Sequence, residues 1–194
     1  MSAWIRMIDD NEADNALLET LEFARTPHGT VDNVMRVHSL RPHTMIGHLK
    51  LYKSVLHDER NTLPLWLQET LGSYVSLLNG CDYSFANHWR NAEVLIDSKE
   101  RSKLVKEALL ARNPELAFQG KELEILRYAE KLTIDPNSMV KEDVARLKRS
   151  GWSDGKILEA NQIVGYFCYV NRLLNGLGVS TEGDVIGYYT PEEH

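Results

Sequence analysis

Residues 154–179, DGKILEANQIVGYFCYVNRLLNGLGV, constrain this chain more than any other segment. The run is long and mostly apolar, with Ser153 in front of it as a cap candidate, so it reads as the central buried helix of its fold. The rest of the chain repeats that signal. From Met45 the apolar positions run Met45, Leu49, Tyr52, Leu56, the alternation of one helix face, and Pro42 suits its first turn. A second helix is expected after Asn61-Thr62, with Pro64 near its start; it turns Leu67, Leu71, Tyr74, Val75 and Leu78 inward and stops at Asn79-Gly80. Another begins at or just after Cys81. Asp97 with Glu100 reads as a capping box for KERSKLVKEALLARN. Ile125, Tyr128, Ala129 and Leu132 mark a further helix that ends at IDP. SMVKEDVARLKRSG has Ser138 as its cap and a closing glycine. Strand-like alternation, repeats and linkers are absent, so the expected architecture is all-α, one helical domain over 1–194 with a core at about 10–190.

Composition narrows the function classes. With 28 acidic and 22 basic residues scattered along the chain, the net charge is −6 and no basic stripe suggests a nucleic-acid partner. No run approaches about 18 apolar residues, and the opening MSAWIRMIDDNEAD does not read as a signal peptide, so no membrane association is expected. Two cysteines, Cys81 and Cys168, are too few for a secreted disulfide framework. The expected compartment is the cytoplasm.

The stretch NGCDYSFANHW, residues 79–89, carries the chemistry. Cys81 follows a glycine stop at the start of a helix, where free backbone N–H groups and the positive end of the dipole favour a thiolate. Cys81, Ser84 and His88 are three and four apart, so they form one stripe able to face a common cleft. Tyr83 and Trp89 point elsewhere, toward packing. The same spacing also suits a buried cysteine and a simple first-turn serine. Glu69 lies on the preceding helix among Gly72, Ser73 and Ser76, a face with few large side chains.

The arrangement of Glu69, Cys81 and His88 resembles the alkylhydroperoxidase D-like and carboxymuconolactone decarboxylase family. Its redox branch has a glutamate, eleven intervening residues, Cys-x-x-Cys, three residues and a histidine. Ser84 stands where the second cysteine belongs. VMRVHSLRPHTMIGHLKLYKSVLH resembles the first half of the longer, peroxidase-related members, and the segment from LRYAEKLTIDP to NGLGV resembles their second half. The resemblance implies an all-α fold and a homo-oligomer such as a trimer or hexamer; with neither a His-x-x-x-His pair nor a Cys-x-x-Cys in the sequence, no metal is expected, and no cofactor. The resemblance also implies a thiol peroxidase in which Cys81 attacks a hydroperoxide and Glu69 and His88 relay protons. Serine cannot form the disulfide of the two-cysteine cycle, so Ser84 leaves Cys81 to an external thiol reductant, or to Cys168 in VGYFCYV, which otherwise reads as core. The alternatives are a non-redox enzyme, in which Glu69 and His88 move protons on a small organic acid or lactone, and an oligomeric module without catalysis. A version with Ser84 as nucleophile and His88 as base lacks an evident oxyanion hole.

Other residues recruit less readily. His38, His43 and His48 recur every five residues and so do not share a helix face. His48, Tyr52 and Tyr74 are candidates for lining the cleft, and Asn171-Arg172 for structural hydrogen bonding or a subunit contact.

Overall fold

A computed structural model describes residues 2–189. Among the described residues there are nine α-helices, two 3-10 turns and no strand, so the chain is all-α. Asp14 caps α1 (Asn15–Phe23) by accepting from the Leu17 N–H at 2.8 Å. A short α2 (Asn33–Arg36) follows. Pro42 occupies the first turn of α3 (Pro42–Leu56), where its missing N–H costs nothing. Next come α4 (Leu65–Leu78), α5 (Asp82–Ile96), α6 (Lys99–Leu110), α7 (Gly120–Ile134), α8 (Lys141–Arg149) and α9 (Asp154–Leu177).

Three local expectations are corrected. Asp97 does not cap α6. It closes α5 in the left-handed conformation (φ 49°), and Ser98 accepts from the Arg101 N–H instead. Ser138 lies in a 3-10 turn, and the Asp143 carboxylate accepts the Val140 N–H at the start of α8. The fully enclosed helix is α4, buried at every position from Leu67 to Ser76. The long α9 is amphipathic: Ile163, Val164, Phe167 and Val170 face inward, while Leu158 and Tyr169 are exposed. Its Glu159 reaches across to the start of α4, accepting from the Thr62 and Leu63 N–H groups at 3.0 and 2.7 Å and from the Thr62 hydroxyl at 2.9 Å.

The apolar interior is in two parts. A large cluster joins α4, α5, α6, α7 and α9 around residues such as Leu71, Tyr74, Leu126 and Phe167. A smaller one, with Leu17, Leu21, Met35, Met45 and Leu49, holds α1, α2 and α3 together. The seam between them is where the polar chemistry lies. No helix among the described residues is long and apolar enough to cross a membrane.

Candidate active site

The turn from α4 into α5 is set by Gly80, whose positive φ (63°) lets the chain reverse: the Gly80 N–H returns to the Leu77 carbonyl and the Cys81 N–H to that of Ser76. Cys81 then serves as the N-cap residue of α5, in an extended conformation and with no side-chain capping bond. Its side chain is 1% exposed. The expectation of a favoured thiolate is not met. Burial pushes the Cys81 thiol above its ordinary range and outweighs the hydrogen bonds of the Ser84 backbone and the Asn171 side chain. Asn171, fully buried on α9, also donates to the Ser76 hydroxyl and accepts from the Asn79 amide, so it ties the turn to the core.

Glu69 and His88, paired in the sequence by the family resemblance, are in contact. The His88 Nδ1 lies 2.6 Å from Glu69 Oε2, with the carboxylate 2% exposed and the ring 12% exposed. The small Ser76 lies against Ser84 where α4 meets α5, and Gly72 lets Phe167 of α9 approach α4 closely. Ser73 and Ser76 turn their hydroxyls back onto the Glu69 and Gly72 carbonyls, both at 2.7 Å. The His88 ring is held edge-on by Phe167, with centroids 4.6 Å apart, and flanked by Tyr52. Since a carboxylate only accepts, Nδ1 carries the proton, and in the neutral form of the ring Nε2 keeps its lone pair.

His88 lines a cavity of about 110 Å³ in the seam between the two clusters. Met35 and Leu49 face it from the smaller cluster, Val170 and Leu174 from α9, with Ser84 and Tyr166 among its polar groups. A volume on this order suits a single small ring, because an apolar cavity of about 150 Å³ accommodates benzene. The stripe predicted for α5 is thus split. Ser84 and His88 border the cavity, Cys81 does not. The Ser84 hydroxyl lies 2.9 Å from that of Ser76.

Several walls were not foreseen. Tyr83, expected to pack, lines the cavity and donates to Asp184 at 2.5 Å while accepting the Val34 N–H. Residues 184–189 run over α5, where the Asn87 and Asn91 side chains accept the Gly187 and Tyr188 N–H groups at 3.2 and 2.6 Å. The i, i+4 spacing of those asparagines was the available signal. Asp32 lines the cavity too; burial and the neighbouring Asp184 hold its carboxyl up to about 6. Tyr52 lines the cavity as foreseen, whereas Tyr74 is fully buried elsewhere in the core. His38 and His48, expected to lie apart, are 3.0 Å apart in a hydrogen bond, because His38 precedes α3 and no helical wheel applies to it. Cys168 is half-buried against the large cluster, 3.7 Å from the Asn79 amide.

No family model matches the sequence, and no curated protein is similar to it. Solved structures are similar. The alkylhydroperoxidase AhpD core, an uncharacterized peroxidase-related protein from Ralstonia eutropha JMP134, superposes with a TM-score of 0.82 over 99% of both chains at 14% identity. The chain has the AhpD-like fold. An uncharacterized peroxidase-related protein from Silicibacter sp. TM1040 gives 0.78 at 18% identity, covering 94% of this chain and 93% of the other. A variant of the debrominase Bmp8 in complex with 2,3,4-tribromopyrrole gives 0.71 at 16% identity over 94% of each. The AhpD-like fold therefore spans the described helices from end to end.

Proposed function

We propose that the seam cavity is the active site of a non-redox proton-transfer enzyme acting on a small, largely apolar organic acid or lactone. One observation carries this reading: His88, held by Glu69 behind it, borders the cavity, and the Cys81 thiol does not. His88 Nε2 takes a proton from the bound substrate while Nδ1–H stays on Glu69, whose buried carboxylate stabilises the imidazolium as it forms. The low-dielectric wall of Met35, Leu49, Val170 and Leu174 strengthens that stabilisation by keeping water away. Positioned proton transfer of this kind is worth about 10²–10⁴ in rate. That the Bmp8 debrominase variant holds a brominated pyrrole supports a site for one small ring in this fold. The whole chain acts as one helical domain, in a cytoplasmic homo-oligomer, trimer or hexamer.

The test is deuterium incorporation from D2O into a panel of small carbon acids and unsaturated lactones, followed by NMR. His88→Ala and Glu69→Gln each lower exchange at least a hundredfold, and Cys81→Ser leaves it unchanged. A second reading rests on the two peroxidase-related proteins of the same fold: Cys81 reduces a hydroperoxide and an external thiol restores it. Peroxide consumption lost in Cys81→Ser, with no carbon-acid exchange in the wild type, would overturn the proton-transfer reading in favour of that one.

A further inference from the structure

Tyr166 faces the cavity from α9, and its hydroxyl lies 2.9 Å from His48 Nε2. From there a chain of hydrogen bonds leaves the cavity: His48 Nδ1 to His38 Nε2 at 3.0 Å, His38 Nδ1 to the Thr44 hydroxyl at 2.8 Å, and the Thr44 hydroxyl to the Arg41 carbonyl at 2.8 Å. His38 and His48 are buried (8% and 3% exposed), while Thr44 and Arg41 are exposed on the first turn of α3 and just before it.

The direction of every bond follows from the last one. Thr44 has a single hydroxyl proton, which goes to the Arg41 carbonyl, so Thr44 accepts from His38 Nδ1–H. A neutral His38 then has a bare Nε2, which accepts from His48 Nδ1–H. A neutral His48 in turn has a bare Nε2, which accepts the Tyr166 proton. Both rings are neutral because burial disfavours their cations, and for His48 it lowers the value to about 3.

We propose that Tyr166, His48, His38 and Thr44 form a proton wire that exchanges protons between the cavity and solvent at the N-terminal end of α3. The proposal rests on the proton-transfer reading above for its use, though not for its geometry. A proton entering at the Tyr166 oxygen displaces the hydroxyl proton to His48 Nε2. The Nδ1 proton of His48 moves to His38 Nε2, that of His38 to Thr44, and the Thr44 proton to water. One O–H or N–H bond breaks for each one formed, no electrons change hands, and neither imidazole rests as a cation. The passage reverses the order of the wire and forfeits the bond to the Arg41 carbonyl, so a proton returning inward restores the ground arrangement. A device with that reset suits a reaction that removes a proton and later gives one back.

The test needs no substrate. In nitrogen-15 NMR of the histidine-labelled protein between pH 6 and 8, both rings are expected as Nδ1–H tautomers with bare Nε2. Exchange of the Tyr166 hydroxyl proton with solvent is expected to slow at least tenfold in His48→Gln, whose amide still bridges Tyr166 and His38 but cannot pass a proton on. Thr44→Val, a surface change that spares the core, is expected to slow it by a similar factor. An Nε2–H or cationic ring at neutral pH, or unchanged exchange in both variants, overturns the wire. If the wire passes and carbon-acid exchange is absent in the wild type, only the functional reading falls.

Discussion

Gly72→Ala is the most direct probe of how packing sets the site. Gly72 sits on α4 against Phe167, and a methyl group there would land inside contact distance of three ring carbons. The same ring stands edge-on to His88, with an interplanar angle of 86°. Two effects oppose each other. Alanine in a helix interior gains about 1 kcal/mol over glycine, and overpacking a dense core costs about 1–3 kcal/mol. Phe167 has no slack, being fully buried, so the expected net change is a loss of about 0–2 kcal/mol, or a Tm lower by up to about 8 °C for a chain of this length. Urea denaturation gives the stability and the His88 ring resonances give the displacement. In a double-mutant cycle, Phe167→Leu should relieve the clash, with a coupling of about 1 kcal/mol or more. A Gly72→Ala protein that is about 1 kcal/mol more stable, with His88 resonances unmoved, would refute the packing argument.

Three further outcomes are expected. Burial lowers His48 to about 3 and His57 to about 4, so both are neutral in the fold and take up a proton on unfolding as the pH falls below their ordinary 6.5. Their stabilisation is complete above that value and lost toward 3–4, about 2 kcal/mol per histidine by pH 5. Asp32, held up to about 6, works the other way and offsets part of the loss; urea titrations at pH 7, 6 and 5 check the fall, and a flat profile would contradict it. Cys81, with its buried and raised thiol, is expected to react with a soluble disulfide reagent at least tenfold more slowly than half-buried Cys168 at pH 7.5, as mass spectrometry of the labelled peptides would show. Glu159→Ala strips three donors at the start of α4 of their acceptor and should cost about 1–3 kcal/mol, whereas Glu159→Gln keeps part of it.

Helices were legible where punctuation and periodicity agree, as at Pro42, Pro64, Asn79-Gly80 and Ser153. The pairing of Glu69 with His88 was legible only through the resemblance to a known motif, since the two sit on different helices and no local periodicity joins them. Cys81 misled because an N-cap residue is not on the wheel: its extended backbone (φ −105°, ψ 92°) aims the side chain by a different rule than that of Ser84 and His88. His38 misled for the same reason, lying ahead of the helix that carries His48. Asp97 in the left-handed region hid a helix stop behind a capping pattern. The contacts of residues 184–189 with α5 and α2 join positions about 100 and 150 apart, and no local pattern encodes such pairs.

A cavity on the seam between two apolar clusters has a thermodynamic corollary. The α1–α3 unit, with its smaller interior, should loosen more readily than the body built on α4, so its amides mark a cooperative unit of lower stability. A molecule in the seam touches both units at once and behaves as mortar: it binds the assembled state and not the loosened one, and stabilises the weaker unit in proportion to its occupancy. Hydrogen exchange of α1 thus becomes a sensor for occupancy, and screening by its protection would find a ligand before any reaction is known.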